Sequence, residues 1–136
     1  MNADEFDKLA VKIWRDLQML IPPDMRALVD RVQILIEDEP PAAVLEELKG
    51  SELSEHPEEL GGLHIGVPLP MDSITNPDPY PTRVYLFREA LLDFADFDET
   101  PEGLERLKEE IAITLLHEIG HYFGLEEDDL ERLGFD

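Results

Sequence analysis

Along the first twenty residues, Phe6, Leu9, Ala10, Ile13, Leu17 and Leu20 recur at helical spacing, predicting an amphipathic helix with Trp14 and this apolar face in the core. Asn2 or Asp4 can cap its start, and Pro22-Pro23 ends it. A short helix from about Pro23 to Val29 follows. Val32-Gln33-Ile34-Leu35-Ile36 is β-branched and almost continuously apolar, which predicts a strand covered on both faces. An acidic turn, Glu37 to Pro41, leads into a modest helix from Ala42 to about Lys49. Residues 50–62 are polar and acidic and read as a loop. Leu63 to Val67 predicts a short strand, and Gly66 with the following Pro68 suits the edge of a sheet. Prolines at 68, 70, 77, 79 and 81 exclude regular structure there. Thr82 to Phe87 (TRVYLF) predicts a third strand running into a short helix with Leu91 and Leu92. Thr100-Pro101 is a helix start. Leu104, Leu107, Ile111 and Leu115 form a core stripe through that helix, which ends at about Phe123 and is stopped by Gly124. A last short helix spans about Asp128 to Leu133. No internal repeat is visible, and the order of elements predicts an α+β fold.

Composition narrows what such a fold can do. A chain of 136 residues with 43% hydrophobic residues predicts one domain, 1–136, with one core of ordinary size. Asp and Glu number 33 against 11 Lys and Arg, a formal charge of −22. That balance argues against nucleic acid and against an anionic membrane surface, since both need clustered cations on the protein. Cysteine is absent, which removes disulfides, thiolate metal sites and thiol catalysis. No apolar run approaches the roughly 18–20 residues of a membrane span. The opening MNADEFDKLA lacks a basic stretch followed by an apolar core, so no secretory leader is expected and the predicted location is the cytoplasm.

The chemistry concentrates in His117-Glu118-Ile119-Gly120-His121, the pattern H-E-x-x-H. Histidines four apart on a helix stand one turn apart on nearly the same face, so both imidazoles can reach one metal ion. Imidazole nitrogens suit Zn²⁺, and a catalytic site keeps three protein ligands and one open position. Glu118 lies beside them, placed to act as general base on water at that position. Gly124 extends the pattern to H-E-x-x-H-x-x-G and lets the chain turn back towards the carboxylate run Glu126 to Asp129.

The stretch His117 to Phe135, HEIGHYFGLEEDDLERLGF, resembles the signature of the small bacterial zincin-like metallopeptidases. The apolar helix before it, TRVYLFREALL, ILIEDEP and GLHIGVP are similar to that family too, so the resemblance runs from about Val32 onward. It implies a minimal zincin-like fold, a small mixed sheet packed on an active-site helix. It also implies one Zn²⁺ per chain held by His117 and His121, with Glu118 as base. The metzincin spacing puts the third ligand at Glu127, with Asp128 as the alternative. Glu126, Asp128 and Asp129 also suit capping and charging the last helix.

No methionine follows His121, so the methionine turn of metzincins is missing; Met19, Met25 and Met71 lie upstream. A hydrogen-bond donor for a developing oxyanion must then be Tyr122, Arg132 or a residue from earlier in the chain. His64, Tyr80 and Tyr85 are the named candidates, beside Arg83; His56 reads as surface. The implied activity is hydrolysis of peptide bonds in a peptide or protein substrate, with basic or neutral sequences favoured by the charge. The alternative is a zinc-binding interaction module of weak activity whose cleft a partner protein completes.

Overall fold

The computed structural model describes residues 1–50, 59–66 and 82–133. Tyr80, His56 and the proline-rich loop lie outside the described residues. The elements are α1 (Ala3–Leu20), α2 (Pro23–Val29), β1 (Gln33–Glu37), α3 (Ala42–Glu47), β2 (Gly62–Ile65), β3 (Arg83–Phe87), α4 (Arg88–Phe94), α5 (Pro101–Tyr122) and α6 (Glu127–Leu133). The fold is α+β. Among the described residues no helix is long and apolar enough to cross a membrane.

Local chemistry explains the helix starts. The Asn2 side chain accepts from the Glu5 N–H at 2.9 Å, so Asn2 rather than Asp4 is the cap of α1. Thr100 accepts from the Gly103 N–H at 3.1 Å with Pro101 in the first helical position of α5. Asp98 in turn accepts from the Thr100 hydroxyl and from its N–H at 3.1 Å; these bonds, with Arg106 nearby, hold the Asp98 carboxyl below the usual range. Arg106 donates to the carbonyls of Ala95 and Asp96, both at 2.9 Å, and so ties the end of α4 to the first turns of α5.

The three strands form one mixed sheet in the order β1-β3-β2, with β1 parallel and β2 antiparallel to β3. One face carries Val84 and Leu86 against Phe6, Ala10 and Trp14 of α1 and Leu107, Ile111 and Leu115 of α5, which make the main core. The other face carries Leu63, Tyr85 and Phe87, packed with Val44 of α3. Ile34 and Ile36 pack on the first cluster and Leu35 on the second, so both faces of β1 are covered. Its three apolar side chains are nonetheless only half-buried, because among the described residues β1 has a sheet neighbour on one side only.

Two expectations shift. The buried line of α1 is Phe6, Ala10 and Trp14, while Leu9, Ile13 and Leu17 flank it and Leu20 is 80% exposed. The last turn of α1 runs past the edge of the core. The second strand begins at Gly62, inside the stretch that composition reads as a loop. Here the missing side chain is the reason for the structure: a Cβ on Gly62 would stand 2.6 Å from Thr114 Cγ2 and 2.9 Å from the Tyr85 carbonyl oxygen. Glycine therefore lets β2 lie directly against α5.

Gly62→Ala is expected to lower stability by about 1–3 kcal/mol, since the added methyl must push strand and helix apart. Urea unfolding of the two proteins measures this, and equal midpoints would contradict the close approach.

Candidate metal centre

α5 ends in a turn that the local sequence specifies closely. Gly124 has φ 88°, the left-handed conformation that glycine adopts without strain. The Leu125 N–H donates to the Gly120 carbonyl at 2.9 Å, and the Gly124 N–H to the His121 carbonyl at 2.9 Å. These paired bonds are a Schellman motif, which satisfies late carbonyls of the helix and folds the chain back under it. The reversal brings the Leu125 carbonyl 3.2 Å from His121 Nδ1. A carbonyl only accepts, so Nδ1 carries the proton and the lone pair of neutral His121 sits on Nε2.

That Nε2 lies 3.2 Å from His117 Nε2, with the two rings nearly perpendicular at 80°. Nitrogens bound to one tetrahedral metal at about 2.0–2.1 Å stand roughly 3.3–3.4 Å apart. The pair thus fits two adjacent corners of a zinc-type site. Ligand atoms of His117, Glu118 and His121 all fall within 4.8 Å of one another. Glu118 is buried, at 7% exposure, with Gly62 of β2 close over its stem. Such a cluster can hold a divalent metal and keep a carboxylate beside it.

The cluster opens into a cleft of about 520 Å³ between β2 and α5. His64 lines it, with its ring 5.9 Å from that of Tyr122. Its Nε2 is buried and makes no hydrogen bond among the described residues. Burial first, and the nearby His121 second, push the His64 pKa down to about 4, so its imidazole is neutral at pH 7. Tyr85 sits elsewhere, in the cluster on the far face of the sheet, with Arg83 donating to its hydroxyl at 3.4 Å. Tyr122 is buried, and its hydroxyl donates to the Leu28 carbonyl at 3.5 Å. Arg132 pairs with Asp129.

In the carboxylate run, Asp129 accepts from the Glu126 N–H at 3.0 Å; that bond, and then Arg132, keep its carboxyl below the usual range. Asp129, in the first turn of α6, therefore reaches back to the residue before the helix, as the third helical residue of a capping box does. Asp128 is exposed on α6 and outside the His/Glu/His group, and Glu127 is the first residue of that helix. Two contributors escape a reading of side-chain spacing: Leu125, whose carbonyl orients His121, and Gly62. The Gly61-Gly62 pair ahead of an apolar stretch is the signal that foretells the second.

Comparison with known families agrees with this geometry. Residues 29–135 match the model of a family described as zincin-like metallopeptidase. The chain belongs to that family. No curated protein matches the chain. The family match spans β1 through α6 and so contains both the sheet and the histidine pair.

Gly124→Ala is expected to weaken zinc binding about tenfold or more by moving the carbonyl that orients His121. Gly50 has the same φ of 88° with nothing within 4 Å of an added Cβ, so Gly50→Ala carries the same backbone strain away from the site. Competition against a chromophoric chelator compares the two, and equal affinities would remove the orienting role of the turn.

Proposed function

We propose that this protein is a zinc-dependent peptide hydrolase in which His117, His121 and Glu127 hold one Zn²⁺ per chain and Glu118 is the general base. The observation that carries the reading is the pair of Nε2 atoms at 3.2 Å with a buried carboxylate beside them, opening on a cleft. Support for Glu127 comes from the turn at Gly124 and from its place at the start of α6, while Asp129 is already engaged with the Glu126 N–H. Asp128 is the alternative third ligand.

Zinc, when bound, polarises the scissile carbonyl and lowers the pKa of the attacking water to about 7. Glu118 takes a proton from that water as its oxygen attacks the carbonyl carbon. When the C–N bond breaks, Glu118 delivers the proton to the leaving amine. His64, neutral and on the cleft wall, is the candidate donor that shares this cleft.

The sheet edge supplies a place for the substrate backbone. The Phe87 N–H donates to the Gly61 carbonyl at 2.9 Å, and Leu63 stands opposite Tyr85. This alternation turns the N–H and C=O groups of Gly62 and His64 away from β3. An extended peptide adds there as an antiparallel strand. The charge of −22 favours basic or neutral peptides.

Zinc stoichiometry tests the ligand set. One zinc per chain is expected in wild type and Asp128→Ala, and loss in His121→Ala and Glu127→Ala. On a peptide library, zinc-loaded Glu118→Gln should keep its metal and lose turnover by about 10²–10⁴-fold. Equal cleavage by wild type and Glu118→Gln would discard the mechanism.

A further inference from the structure

The sheet ends on its other side at β1, far from the candidate site. Gln33 donates its N–H to the Thr82 carbonyl at 2.8 Å and stands opposite Arg83 in the parallel ladder. Alternation then turns the backbone groups of Gln33, Leu35 and Glu37 towards β3, and those of Ile34 and Ile36 away from it. Among the described residues no other backbone group meets Ile34 or Ile36. Sheet edges are ordinarily guarded by lysine, proline or a bulge. β1 reads QILIE and pairs with β3 in unbroken register, so it has none of these guards.

The order of residues along β1 sets what pairs with it. Two strands related by a two-fold axis lie antiparallel, so positions equally far on either side of the centre meet. Centred on Leu35, this register places Ile34 opposite Ile36 and Gln33 opposite Glu37 of a second copy, and the whole strand is paired. Each Ile34–Ile36 pair exchanges both of its backbone hydrogen bonds. Gln33 and Glu37 take the positions where facing side chains approach closest, and the amide donates to the carboxylate. Further out in the same register, exposed Arg31 meets Glu39 of the second copy, beside a shallow groove that Asp7 and Glu37 also line. Slipping the strands by two residues either way sets Glu37 or Gln33 against apolar Leu35. The two-fold thus matches cation to anion and amide to carboxylate on chains that each carry −22.

We infer that β1 is a self-association edge, on which two copies of this chain pair antiparallel about Leu35. Their sheets join into one with the order β2-β3-β1-β1-β3-β2. Both clefts stay open, because β2, which walls each cleft, lies at the far ends of the joined sheet. The pairing does not depend on the hydrolase reading.

Sedimentation velocity of the full chain from about 1 µM to about 1 mM should show a concentration-dependent shift to twice the chain mass. Over the same range the Ile34 and Ile36 amides should gain hydrogen-exchange protection by about tenfold or more, while the Leu35 amide, turned to β3, is protected throughout. Gln33 and Arg31 are exposed, so Gln33→Glu and Arg31→Glu spare the core. Each should weaken the dimer about tenfold by setting like charges opposite one another. Arg31→Glu combined with Glu39→Arg restores opposite charges in the same register and should recover the wild-type affinity. A monomer at every concentration overturns the proposal. So does a dimer that the single substitutions do not weaken, that the double substitution does not restore, or that leaves exchange at Ile34 and Ile36 unchanged, since it then forms through another surface or register.

Discussion

Leu107, Ile111 and Leu115 are fully buried against α1 and the sheet, so the core sets the rotation of α5 about its own axis. Each residue advances about 100° around that axis, which leaves Ile113, Thr114, His117 and His121 on a neighbouring face. That face is the one β2 meets. Packing of three aliphatic side chains thus also aims two imidazoles into a cleft, and the site needs no separate scaffold. Any change that rotated the helix would move the core stripe and the two imidazoles together.

Holding the imidazoles is a second matter, and backbone does it. The left-handed Gly124 permits the Schellman turn, and the turn delivers the Leu125 carbonyl to His121 Nδ1. A proton fixed on Nδ1 leaves the lone pair of His121 on Nε2, facing His117 Nε2. At the other wall, Gly62 allows β2 to approach α5 so closely that a methyl would collide with Thr114 and with the Tyr85 carbonyl. Glu118 is buried by the same approach. Two glycines therefore define the site's end and its side, and neither carries any chemistry of its own.

Much of this was legible in the order of residues. The cap at Thr100, the stripe of α5, the edge position of β2 and the H-E-x-x-H-x-x-G pattern all follow from periodicity, capping and spacing within single elements, whereas the choice of Asn2 over Asp4 at the start of α1 did not. Leu20 misled, since helical spacing continues to the end of α1 although the core does not. Tyr85 belongs on the far face of the sheet because alternation along β3 puts it beside Phe87, away from α5.

The linear order of residues contains what is local. It says which segments are helix or strand, where each starts and stops, and that two histidines share a helix face with a glutamate between them. Those properties depend on neighbours a few positions away. Folding in three dimensions was needed to establish that β2 lies directly against α5, that β1 is left at a sheet edge, and that Asp129 reaches back to the Glu126 N–H. These depend on contacts between segments distant in the chain, or on which of several equivalent carboxylates a backbone N–H meets. Packing selects among such possibilities, and no spacing rule does.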